Sequence, residues 1–149
     1  MELTEVRLKG GDGKYRWVFD PDESVEVEVD YEIKEELEDL VFGIGITRPD
    51  GLDVFGSNTE IDEIIENKRA DNKKEGAKKI QPQKGTYKVK FDRIGLVDGA
   101  YYLDIAAHRV DGYPYDYQHL LHKFSVRGER KCSGVSAAKI KWDVSDLSR

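Results

Sequence analysis

Residues 24–33 read SVEVEVDYEI, and their alternation decides the fold. Val25, Val27, Val29, Tyr31 and Ile33 fall on one side of an extended chain, and Glu26, Glu28, Asp30 and Glu32 on the other. A period of two marks a strand with one face in a core and the other in water. The same rhythm recurs on both sides of this stretch. LVFGIGITR (40–48) sends Leu40, Phe42, Ile44 and Ile46 inward and Val41, Gly43, Gly45 and Thr47 outward. PDG (49–51) is a turn, and LDVFG (52–56) is its hairpin partner. TYKVKFD (86–92) alternates through Tyr87, Val89 and Phe91, and AYYLDIAAHRV (100–110) buries Tyr101, Leu103, Ile105 and Ala107. DGYPYDY (111–117) turns the chain into HLLHKFSVRG (119–128), and AKIKWDV (138–144) reads as one more short strand. MELTEVRLKG opens the chain as a strand as well. Short strands separated by regular turns predict an all-β, antiparallel β-sandwich over 1–149, a single domain.

One stretch breaks the rhythm. TEIDEIIENKRADNKKEGAKKI (59–80) has a brief apolar stripe at Ile61, Ile64 and Ile65 and is otherwise solvated charge, so it reads as a loop with at most a helical turn. Composition narrows the function. The chain has 149 residues, long enough for one core, and 10% aromatics set against 36% charge keep it out of the disordered class. A net charge of −6 gives no basic footprint, so nucleic acid is not an expected partner. No apolar run has the length of a membrane span. Cys132 has no second cysteine to bridge, which suits a reducing compartment.

Chemistry-bearing motifs are sparse. GGDGK (10–14) lacks the spacing of a phosphate-binding loop and reads as a hairpin turn. His119 and His122 stand three apart, which places them on opposite faces of a strand rather than on one metal. The acidic row Glu26 to Glu32 is better matched by lysines such as Lys88 and Lys90 on a neighbouring strand than by calcium. No serine or cysteine has a nucleophile's setting, and the sequence calls for no cofactor.

What remains is a surface. Gly43 and Gly45 strip side chains from the outer face of one strand, a usual sign of close approach by another backbone or a ligand. Tyr102, Asp104 and His108 share the outer face of another strand and join a ring to hydrogen-bonding groups, the combination that sugars require. Thr47 and Asn58 extend that candidate face. The plainer reading makes these ordinary surface residues, and it gives Asn58 and Thr59 the task of pinning the loop after the hairpin. On the binding reading, Asp104→Ala and Tyr102→Ala lose ligand with little change in melting temperature.

FGIGITRPDGLDVFGSNT (42–59) resembles the C-terminal domain of Wzt, the ATP-binding subunit of the ABC transporter that exports lipopolysaccharide O-antigen. GAYYLDIAAH (99–108), DGYPYD (111–116) and FSVRG (124–128) follow in the order of that family, as do Gly134 and Trp142. The resemblance implies a jelly-roll or immunoglobulin-like sandwich that binds the non-reducing end of an exported polysaccharide without catalysis. It also implies a strand-exchanged homodimer, with Val135 to Val144 as the candidate exchanged strand. The partners would be the transporter's nucleotide-binding and membrane subunits at the cytoplasmic, inner face of the cell membrane, with a nucleotide-binding domain upstream. The lysine-rich run 66–84 departs from the family pattern. A purely structural or dimerisation module is the alternative, and a small sandwich hydrolase is a third.

Overall fold

The computed structural model describes residues 1–62 and 79–147. Eight strands follow in order: β1 (Glu2–Gly10), β2 (Val18–Phe19), β3 (Val25–Ile33), β4 (Val41–Thr47), β5 (Asp53–Asn58), β6 (Gln83–Phe91), β7 (Gly99–His108) and β8 (Pro114–Val126). They form two sheets, one ordered β1-β3-β6 and the other β2-β8-β7-β4-β5. All pairings are antiparallel except the two-residue match of β2 with the end of β8. No described residue is helical.

The alternation of β3 explains why the sheets stack. Val25, Val27 and Val29 are buried with Ile33 and face Ile44, Ile46, Leu103, Ile105, Phe124 and Val126 of the larger sheet. Tyr31, Phe42 and Tyr87 form an aromatic run between the layers, with ring centroids 5.0 and 4.2 Å apart. The Tyr87 hydroxyl crosses to the larger sheet and donates to the Gly43 carbonyl at 3.1 Å. Burial holds that phenol well above its usual range, so it stays a donor.

The other face of β3 differs from a merely solvated row. Glu26 and Glu28 stand opposite Lys90 and Lys88, as the strand patterns predict. Glu28 is nevertheless buried, and Arg7, Lys9 and Tyr15 all reach it. Burial alone would push its carboxyl up, but those hydrogen bonds together carry it down, so Glu28 remains an anion. Arg7 also grips Asp30 with two bonds of 2.7 and 2.8 Å.

Several boundaries move. The hairpin partner of β4 runs on to Asn58, and β8 begins at Pro114, inside the stretch read as a turn. Proline is acceptable there because a strand's first residue can lack an N–H. The turn itself closes earlier, through Arg109 N to Tyr113 O at 2.8 Å, with Gly112 in the left-handed region. Residues 138–144 form no strand; only Ser136 bridges to Leu96. Val41, read as outward-facing, is fully buried, so the outer face of β4 is covered at that end. The apolar stripe at Ile64 and Ile65 lies outside the described residues, and Ile61 sits in a turn.

Candidate functional site

The outer face of the larger sheet carries a groove of about 550 Å³, lined by β4, β5, β7 and Tyr117 of β8. Its floor is made by residues with little or no side chain. Gly43 stands opposite Ala106 on β7 and Asn58 on β5, and Gly45 opposite Asp104 and Gly56. A Cβ on Gly43 would come within 3.2 Å of the Ala106 Cβ, and one on Gly45 within 3.4 Å of the Phe55 carbonyl. A Cβ on Gly56 would meet nothing nearer than 4.0 Å and would project into open space.

Of the residues singled out from sequence, Gly43, Gly45, Thr47, Asn58, Asp104 and His108 all line this groove. Tyr102 does not, although it shares the outward face of β7; it sits one row further along, between Thr47 and Lys123. Two aromatic residues line the groove: Phe55, whose ring meets Phe91 of the smaller sheet edge-on, and Tyr117. Reading 111–117 as a turn hid Tyr117. Its ring stacks on His119 with centroids 5.6 Å apart and planes 16° from parallel. Burial first, then the carboxylates of Asp104 and Asp53, push the Tyr117 phenol up, so its hydroxyl remains protonated.

Asp104 holds this end of the site together. Its side chain is buried, at 7% exposure, rather than open to water as a strand's outer face would suggest. One carboxylate oxygen accepts the hydroxyl of Thr47, itself 1% exposed. The other accepts the Leu120 N–H at 3.0 Å and lies 3.1 Å from His119 Nδ1. The pairing register shows why those donors converge. Leu103 pairs with His122, but Ile105 pairs with Gln118, so Asp104 alone faces His119, Leu120 and Leu121. This is a β-bulge, and Leu120 is the one non-glycine among the described residues with a positive φ, at 56°. The carboxylate thus fixes a strained bulge, and the bulge carries the His119–Tyr117 stack.

Asn58 and Thr59 close the far wall. The Asn58 side-chain carbonyl accepts the N–H groups of Glu60 and Ile61 at 3.0 and 2.7 Å. Thr59 exchanges bonds with Phe42, its N–H donating at 2.9 Å and its hydroxyl accepting at 3.1 Å. The loop-pinning role read for this pair is therefore what the geometry shows, and the Asn58 amide NH2 is left at the groove wall. His108 donates Nδ1–H to the Arg109 carbonyl at 2.7 Å, which leaves Nε2 as its second polar atom. His119 and His122 do not converge, since His122 Nε2 bonds Gln118 at 2.7 Å.

The C-terminal segment adds a second surface. Ile140, Trp142 and Val144 alternate along a chain outside both sheets, and Trp142 is 82% exposed.

The fold and groove define the class as an antiparallel two-sheet sandwich with a glycine-floored groove on one outer face. The comparisons then fix the family. The family model described as "Wzt C-terminal domain" matches residues 1–137, and the chain belongs to that family. Among solved structures it is similar to the "Crystal structure of the C-terminal domain of wzt", with a TM-score of 0.75 and 16% identity over 95% of this chain and 82% of that one. A comparison with curated protein sequences gives no match.

Proposed function

We propose that this domain is a non-catalytic carbohydrate-binding module, which recognises the non-reducing end of an O-antigen-like polysaccharide and hands it to an ABC transporter for export. Membership of the Wzt C-terminal domain family supports the transporter setting. The observation that carries the binding reading is the groove itself: a floor of Gly43, Gly45, Gly56 and Ala106 beside the exposed ring of Tyr117. A pyranose ring is a flat slab with apolar C–H faces and a polar rim. It fits over a floor without side chains, with one face on an aromatic ring and its hydroxyls on Asn58, Asp53 and His108. Exposed hydroxyl contacts nearly break even against hydration, so single-site affinity is expected to be weak, and a dimer would raise it through avidity.

The dimer we propose uses Val135 to Val144 as an exchanged strand. The exposed alternation of Ile140, Trp142 and Val144 supports it, since an extended segment with one apolar side has the pattern of a strand without its sheet. The partners of the assembled protein would then be the transporter's nucleotide-binding and membrane subunits at the inner face of the cell membrane. The test of the binding reading is titration of the chain with purified O-polysaccharide, beside Tyr117→Ala. Binding by the parent and its loss in the variant are expected; equal binding by both would move the site elsewhere.

A further inference from the structure

We infer that the groove takes an uncharged sugar end and turns away ends bearing phosphate, sulfate or uronate, and that Asp53 makes this choice. The inference rests on the glycan-binding reading above and adds the chemical class of the ligand. Among the described residues that line the groove, the full charges are the carboxylates of Asp53 and Asp104, and there is no lysine or arginine. The two carboxylates are not equivalent. Both oxygens of Asp104 are occupied by Thr47, Leu120 and His119. Asp53 stands opposite Thr47 at the start of the edge strand β5, exposed, and its side chain has no ion-pair or hydrogen-bond partner among the described residues. The neighbouring cations among the described residues are committed or displaced. Arg48 is held by both oxygens of Asp50 at 2.9 and 2.6 Å, and Lys123 lies across from Tyr102, outside the groove.

Among the described residues an anionic sugar end would therefore meet charge of its own sign and no guanidinium or ammonium to replace its lost water. Proteins that bind phosphate or carboxylate supply those donors, often in bidentate form. A neutral sugar meets the opposite situation. Its hydroxyls can donate to the free Asp53 carboxylate, a charge-assisted bond, while its C–H face lies on Tyr117. Two unit charges about 6 Å apart in a wet site repel enough to cost roughly threefold in affinity, so two carboxylates together give about tenfold.

A printed array of microbial glycans, sorted into neutral and anionic structures, tests this with the parent chain, Asp53→Lys and Tyr117→Ala. The expected result is that the parent's signals fall on neutral non-reducing ends and vanish in Tyr117→Ala. Asp53→Lys should shift signal toward phosphate- and uronate-bearing ends by about tenfold, with an unchanged melting temperature because the Asp53 side chain has no partner among the described residues to lose. If the parent binds anionic ends best and Tyr117→Ala abolishes that, the charge inference is overturned while the groove remains a glycan site. If the parent's signals ignore Tyr117→Ala, or none appear, the glycan reading falls and this inference with it.

Discussion

Asp104→Ala is the substitution that most directly tests how the site is built. In the folded chain this carboxylate serves three donors: the Thr47 hydroxyl, the Leu120 N–H and the His119 ring. Removing it leaves a hydroxyl in a fully buried setting and an N–H in a partly buried one without acceptors. A buried donor left unmade costs about 1–3 kcal/mol, and the threonine hydroxyl recovers part of its share by rotating. Relaxation of Leu120 from its left-handed conformation returns about 1 kcal/mol. The net loss is about 2–3 kcal/mol, or a fall of roughly 4–12 °C in melting temperature for a chain of this length. Asp104→Asn keeps one carbonyl acceptor for the Leu120 N–H and should lose about half as much. Thermal and urea melts of both variants provide the measurement, and glycan binding should fall with them because the bulge that carries His119 and Tyr117 is released. From sequence, loss of binding at constant stability was the expectation; the burial of Asp104 replaces it with loss of both. An Asp104→Ala variant that melts within a degree of the parent would refute the bulge-anchoring argument.

Three further outcomes are expected. Gly56→Val should block the groove and abolish glycan binding while leaving the melting temperature equal or slightly higher, since its Cβ enters open space and valine suits a strand better than glycine; binding that survives would place the ligand elsewhere. Arg7 holds Asp30 at a pKa of about 2 against an ordinary 3.8, with Thr86 assisting, so this pair's contribution is complete above pH 3.8 and lost as pH falls toward 2. Arg7→Gln should therefore be less stable than the parent at pH 7 and converge on it near pH 2, and parallel acid-unfolding curves would contradict the assignment. Truncation after Ala138 removes Ile140, Trp142 and Val144 and should leave a folded monomer by light scattering, whereas an unchanged dimer would clear the tail of any assembly role.

The fold was legible because its strands carry their burial pattern in consecutive residues. β3 and β7 each alternate without a break, so their inward residues could be named, and the sheets place them inward. The site was legible only in part. Gly43, Gly45, Asp104 and His108 share faces that periodicity defines, and antiparallel pairing of β4 with β7 brings them together. The bulge was not legible, because it depends on a carboxylate sixteen residues away from the N–H it holds. Tyr117 was missed for a related reason: Gly112 and Pro114 are turn signals in isolation, and only the pairing of Ala106 with Tyr117 shows that the strand has already begun. Tyr102 followed the correct parity on the wrong row. Glu28 shows the opposite limit, since its charge predicted exposure and Arg7, Lys9 and Tyr15 made burial acceptable.

The two outer faces of the sandwich explain why the groove, rather than any other surface, is the candidate site. On the smaller sheet three of the four acids of β3 are matched: Glu26 by Lys9, Glu28 by Arg7, Lys9 and Lys88, and Asp30 by Arg7 and Thr86. The centre of that face is already satisfied, and a ligand would have to break those bonds in order to make its own, with little net gain. The larger sheet is arranged differently. Its floor of Gly43, Gly45, Gly56 and Ala106 has little side chain to displace, its rim ring stacks on a histidine held from beneath, and the Asp53 side chain has no partner among the described residues. A hydroxyl arriving at Asp53 meets a carboxylate that no other described residue engages. This asymmetry can be measured. Arg7→Gln disturbs the satisfied face and should alter stability without altering glycan affinity, whereas Asp53→Asn removes the free charge and should weaken glycan binding by a few fold without altering stability. If Arg7→Gln weakened glycan binding and Asp53→Asn did not, the ligand would lie on the smaller sheet.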